Sequence, residues 1–305
     1  VQGYWSFSGS EASIGAILKM HLNEYQKGIL LTAFGVICIV PDALFVRIID
    51  ADPLVIAFWR SLLAGLIIAA FINFQDRGAS YNLIKKMGAK GWIYCAILAS
   101  TSPAFVLAVS NTSVANVVFI FASMPIFTAI FSWMLLGEKI SARTTITMLL
   151  VTVGLSIIAY GSTDNENAHW SGDGFALYIS IAYGFAFTIL RGMRATSMVP
   201  VVPVAFCGSA LLLALIANPF SGFFENFWLY ALHGIFIAVG TTFLTLGPRR
   251  LPAPEVSLLI LLESILAPLL VWAVLGEDPG QFAILGGTIV IGALAISNLI
   301  AFLKW

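Results

Sequence analysis

Three charged side chains stand inside apolar runs long enough to cross a bilayer: Asp42, Arg60 and Glu263. Insertion scales put the cost of each at about 2.5–3.5 kcal/mol near the membrane centre, so each is expected to face a cavity or a partner. Asp42 lies seven residues before Ile49, and Arg60 seven residues after Pro53, on either side of the tight turn Asp50-Ala51-Asp52-Pro53. At a rise of about 1.5 Å per residue, both sit about 10 Å below the same surface on consecutive antiparallel helices. They are expected to pair, because an unpaired charge at that depth is expensive. Glu263 comes in from the opposite surface, seven residues past Val256, with no basic residue at its depth. A carboxylate so placed can load a proton or hold a substrate ammonium.

Neutral and titratable groups surround these three. His233 falls about 9 Å deep on its own run. It can serve a proton path, although a hydrogen bond to a backbone carbonyl is the commoner use of such a ring. Thr241, Thr242 and Thr245 share that run, and Ser100, Thr101 and Ser102 share another. Such hydroxyls often bond back to their own helix, so only a minority, Thr241 foremost, is expected at substrate. Tyr178, Tyr183 and Phe187 recur at about one helical turn; they can wall a cavity, Tyr183 foremost, or simply pack in a core. Prolines Pro41, Pro103, Pro125 and Pro268 are expected to break helices, which a membrane tolerates where the freed carbonyls face protein or water.

The element that must position Glu263 is the stretch 251–280, and it has a twin. An offset of 139 residues lays 112–141 on it without a gap: Val117 meets Val256, Ile126 meets Ile265, Trp133 meets Trp272, and Leu136-Gly137-Glu138 meets Leu275-Gly276-Glu277. A second match joins Ala57-Phe58 to Ala205-Phe206 and Ser61 to Ser209. The chain reads as a duplication.

Composition sets the environment. Of 305 residues, 60% are hydrophobic and 10% charged, against about 45–50% and 25% in soluble domains. An integral membrane protein follows. The net charge of +0 implies no polyanionic partner and no nucleic acid. Cys38, Cys95 and Cys207 all fall in apolar runs and read as small buried hydrophobes rather than disulfide partners. The first apolar run begins near Gly28 and is too long for a signal-peptide core, so no cleavable signal is expected.

Ten spans are expected, near residues 28–49, 53–73, 91–110, 114–136, 144–160, 175–189, 199–217, 227–246, 256–275 and 282–303. The basic residues orient them. With the N-terminus inside, 13 of the 15 Lys and Arg fall on inner segments, whereas the outer ones carry Asp50, Asp52, Asp164, Glu166, Asp173, Glu225, Glu277 and Asp278. The expected fold is therefore all-α: ten transmembrane helices as two inverted five-helix repeats, both termini cytoplasmic, in the inner cell membrane. Residues 1–25 read as a tail or interfacial helix, 26–160 as the first repeat, 161–174 as an outer linker and 175–305 as the second repeat. Five spans per repeat is an odd number, which turns the second repeat upside down. Inverted repeats usually bind substrate near the midplane where they meet. The last span of each repeat, Gly- and Ala-rich and without charge, is expected at the periphery.

Two five-span halves, each with a helix running into Leu-Gly-Glu and then a Gly-bearing last helix, resemble the EamA-type members of the drug/metabolite transporter superfamily. The echoes are SVANVV and PAPEVS, the helices SMPIFTAIFSW and ESILAPLLVW, the closing GGTIVIGAL, and Arg60 early in the second span. The resemblance implies a proton-coupled or exchange-type carrier for amino acids and related small metabolites. It also implies a central cavity lined by the first, third, fourth, sixth, eighth and ninth spans. The expected partners are a small-molecule substrate, the lipid bilayer and protons, with no cofactor, for a chain acting as a monomer or homodimer. The chain departs from the family at Glu263-Ser264, where Leu-Glu-Pro is usual, and at Val40-Pro41-Asp42-Ala43.

Two other classes compete. A channel would call for a ring of like charges or a carbonyl filter, and neither pattern is present. A membrane-embedded enzyme would need a nucleophile and base or metal ligands at one depth, yet His233 is the one intramembrane histidine. There is no Gly-rich ATP-binding loop, so transport is expected to draw on a gradient.

Overall fold

The computed structural model describes residues 23–112, 114–121, 123–161, 170–276 and 280–304. Residues 1–22 lie outside this set, and with them most of the expected interfacial tail. The described chain is helical throughout. The first span is two helices, α1 (Glu24–Ile39) and α2 (Asp42–Ile48), followed by α3 (Pro53–Asp76) and α4 (Gly88–Asn111). The stretch expected as the fourth span also holds two helices, α5 (Val114–Phe121) and α6 (Met124–Leu136), and α7 (Ala142–Gly161) closes the first half. The second half holds α8 (Trp170–Gly192), α9 (Val201–Leu213) and α10 (Phe223–Leu246). Its broken span is α11 (Ala253–Ile260) and α12 (Glu263–Leu275), and α13 (Gly280–Lys304) comes last.

Local sequence accounts for several ends. Asn23 and Gln26 form a reciprocal capping box at the start of α1. Asp52 caps α3, where Pro53 fits the first turn because that position needs no N–H donor. Gly137 and Gly276 close α6 and α12 at φ 65° and 73°. That left-handed conformation is cheap only for glycine, which is what the repeated Leu-Gly-Glu supplies.

Six helical stretches are long and apolar enough to cross a membrane, and α6, α9 and the first part of α7 are shorter apolar helices. The sixth span opens earlier than the sequence suggests, at Trp170. Pro103 and Pro268 correct another expectation, because both lie within continuing helices. The break in the ninth span falls instead at Leu261-Leu262, ahead of Glu263.

That break copies its twin. Ser123 N donates to the Ile120 carbonyl at 3.0 Å and Ile126 N to Ser123 at 3.0 Å, and 139 residues on, Leu262 N donates to Leu259 at 3.0 Å and Ile265 N to Leu262 at 3.2 Å. Both helices tighten into three-residue bonds and restart at the same register. All four helix boundaries, Val114, Phe121, Met124 and Leu136, map onto Ala253, Ile260, Glu263 and Leu275 by the same offset.

Packing between the halves is reciprocal. α4 lies along α8, and its counterpart α10 lies along α1; α4 also meets α9, as α10 meets α3. α3 packs on α9, and α7 on α13. Glycines allow the closest approaches. A Cβ on Gly65 would stand 2.8 Å from Cys207 Sγ, and one on Gly154 would stand 2.7 Å from the Gly286 carbonyl. Small residues serve membrane helix interfaces because burying apolar surface gains little in lipid and close contact must supply the attraction.

Candidate functional site

Asp42 owes its position to the break after α1. Pro41 precedes it, and α2 restarts with Asp42 in its first turn, buried to 1% exposure. Arg60 reaches it from α3. The guanidinium Nε donates to Asp42 Oδ1 at 2.9 Å and Nη2 to Oδ2 at 2.5 Å, the expected pair in two-pronged form. Arg60 Nη1 donates to Ser102 Oγ at 2.7 Å, and the Ser61 hydroxyl lies 2.7 Å from the same oxygen. The Phe105 ring covers the guanidinium at 5.4 Å.

His233 corrects an expectation. Its Nε2 meets Asp42 Oδ1 at 2.6 Å, so its partner is a carboxylate on the other half rather than a backbone carbonyl. The ring stacks on Phe45 and is fully buried, while Nδ1 has no partner among the described residues. Nε2–H donating to Asp42 with a bare Nδ1 is the arrangement of a neutral imidazole. Sequence alone could not find this pair, because the partners are 191 residues apart.

Glu263 stands in the first turn of α12, 9% exposed. It opens onto a central cavity that Asp42 and Arg60 also line, together with Tyr94, Tyr183 and Thr241. The expectation that no basic group shares its depth is therefore corrected. Depth counted along each helix ignores that the two kinks bring α2 and α12 into contact. Glu263 nevertheless makes no hydrogen bond or ion pair among the described residues.

The other candidates divide. Tyr183 and Phe187 stack at 5.7 Å and line the cavity, whereas Tyr178 is exposed and reaches Ser100 at 2.5 Å. Thr241 lines the cavity, but the Thr242 hydroxyl bonds back to Ala238. The Tyr94 hydroxyl, which the sequence did not single out, meets Thr245 at 3.0 Å. Arg60 on α3 and Phe206 on α9 join the lining beyond the six spans expected; no described residue of α7 or α13 belongs to it. The cavity is narrow, about 50 Å³, whereas ligand sites commonly run to about 300–1,000 Å³.

One end of the bundle is tied by ion pairs between the halves. Arg191 Nε meets Glu138 at 2.8 Å and Arg250 Nε meets Glu24 at 3.0 Å. Arg143 pairs with Glu255, which also accepts from the Tyr25 hydroxyl. At the other end the halves are joined by hydrogen bonds: Thr112 to Asp173 at 2.8 Å, Trp59 to the Pro219 carbonyl at 2.6 Å, and Asn226 to the Asp50 carbonyl at 3.4 Å.

Two related halves of apolar helices around a charged central cavity define a membrane transporter-type protein. The sequence model of the EamA-like transporter family matches residues 26–160 and again residues 170–299, and the chain belongs to that family. Members of this family are transporters rather than enzymes. No curated protein matches the chain. Among solved structures, a protein crystal structure superposes with a TM-score of 0.72 at 15% identity, over 91% of this chain and 99% of the other. That likeness speaks for the fold.

Proposed function

We propose that the chain is a secondary-active transporter of small polar metabolites such as amino acids or amines, working by alternating access. In this reading ten spans form two inverted five-helix repeats, 26–160 and 175–305, in an inner cell membrane with both termini cytoplasmic. The reciprocal contacts and the segregation of Lys and Arg to alternate segments support it. The carrying observation is the buried carboxylate of Glu263, without a hydrogen bond or ion pair among the described residues, opening onto a cavity where the halves meet. Glu263 takes the coupling proton or the substrate ammonium. Asp42 and Arg60, held by His233, form the wall and gate beside it, and Tyr183 and Thr241 line the path.

The narrow cavity and the ion-paired end fit a closed conformation, in which the halves must part before substrate enters. Counterflow in proteoliposomes tests the reading. A carrier accelerates uptake of labelled substrate when unlabelled substrate is loaded on the far side. Flux indifferent to trans substrate would point to a channel and discard this proposal.

A further inference from the structure

The cavity's charges define a narrower substrate class than its family does. Arg60 is the sole cation lining it among the described residues, and it is already committed. Both oxygens of Asp42 hold its Nε and Nη2, Ser102 holds Nη1, and Phe105 covers its face. His233 adds a third bond to Asp42 from the second half. The three groups form a closed set whose ionic charges cancel. Tyr94 and Tyr183 are the remaining titratable groups in the lining among the described residues. With Glu263 ionised, the cavity thus carries one uncompensated negative charge. A ligand carboxylate would meet no free cation, and seating one beside Glu263 and Asp42 would add buried like charge.

The remaining wall is largely apolar and aromatic. Tyr183 and Phe187 stack at 5.7 Å, and Phe105, Phe121 and Phe206 face the same space. Aromatic faces favour a cation with an apolar body and give nothing to an anion.

We propose that the cavity takes amines bearing a single positive charge on an apolar body, with Glu263 as their counter-charge, and discriminates against zwitterionic amino acids. This deepens the carrier reading and rests on the same cavity. One amine cation restores neutrality, as would one proton on Glu263, so the two are mutually exclusive occupants.

Three probes sharing one ring separate the possibilities: phenethylamine, phenylalanine and 3-phenylpropanoate. Thermal unfolding of the purified full chain reads their binding, because a ligand of the folded state raises the midpoint. Phenethylamine should stabilise the protein, phenylalanine should need a concentration about tenfold higher or more, and phenylpropanoate should do nothing. The amine response should vanish in Glu263→Gln and persist in Glu263→Asp. Phenylalanine binding as tightly as phenethylamine would overturn the inference without recourse to any variant. So would silence from all three probes, or an amine response retained in Glu263→Gln. Counterflow with labelled phenethylamine and phenylalanine reads the carrier separately. Amine binding without exchange would sink the carrier and leave the binding class standing, and exchange of phenylalanine alone would do the reverse.

Discussion

Met124 and Glu263 occupy the same place in the two halves. Each opens the second piece of a broken helix, 139 residues apart, and each lines the central cavity. One of these positions is a thioether and the other a carboxylate, so the duplication keeps its backbone while the chemistry has become one-sided. The carboxylate also stands in the first turn of α12, where the partial positive charge of the helix N-terminus favours an anion.

Glu263→Gln removes the charge with almost no change in shape. The hypothesis that Glu263 couples transport to protons, motivated by its burial and its lack of a partner among the described residues, predicts a folded protein without pH-driven uptake. Reconstituted vesicles under an imposed pH gradient give the readout. Wild-type rates with an unchanged pH profile in that variant would remove Glu263 from the mechanism.

Asp42 and Arg60 predict a non-additive pair. Asp42→Asn strands a buried guanidinium and loosens His233, and breaking such a pair typically costs about 3–5 kcal/mol. Asp42→Asn with Arg60→Gln removes both charges and should unfold at a higher temperature than the single change. Equal or lower stability of the double variant, measured by thermal unfolding, would contradict the closed set of charges inferred from the 2.5 Å and 2.9 Å contacts.

Much of this was legible in the sequence because it is one-dimensional. The 139-residue offset carries through to helix ends and even to individual hydrogen bonds. The Asp42–Arg60 pair followed from two short counts on either side of one turn. What the sequence hid depends on three dimensions. His233 and Asp42 lie in different halves, and no local pattern links them. The helix break was assigned to Pro268, yet it falls where the twin has Ser123 and Pro125, a place the second half fills with Leu262 and Ser264. The pattern of the repeat was a better guide to the break than the proline itself.

Gly154 tests whether the last spans are structural. A side chain there would press on the Gly286 carbonyl, which belongs to backbone and cannot swing aside. Gly154→Leu should separate α7 from α13 and cost about 1–3 kcal/mol, as overpacking commonly does. Transport per folded molecule should stay near the wild-type rate, since no described residue of either helix lines the cavity. A normal unfolding temperature, or a selective loss of transport with stability intact, would argue against a peripheral packing role.

The ion-paired end gives the last prediction. Glu138, two residues past α6, pairs with Arg191 of α8 across the halves, and Glu24–Arg250 and Arg143–Glu255 pair nearby. These groups are partly solvated, so each pair contributes little to stability, about 0–1 kcal/mol. Weak ties of this sort suit contacts that must break and re-form in every cycle. The hypothesis is that this end opens during transport. Replacing Glu138 and Arg191 by cysteines and oxidising them should then halt counterflow, and reduction should restore it. Removing the charges by Glu138→Gln and Arg191→Gln should leave the unfolding temperature within a few degrees of wild type and speed labelling of a cysteine placed at Thr245, on the cavity wall. Full counterflow with the cysteine pair demonstrably crosslinked would mean that this end stays shut throughout transport.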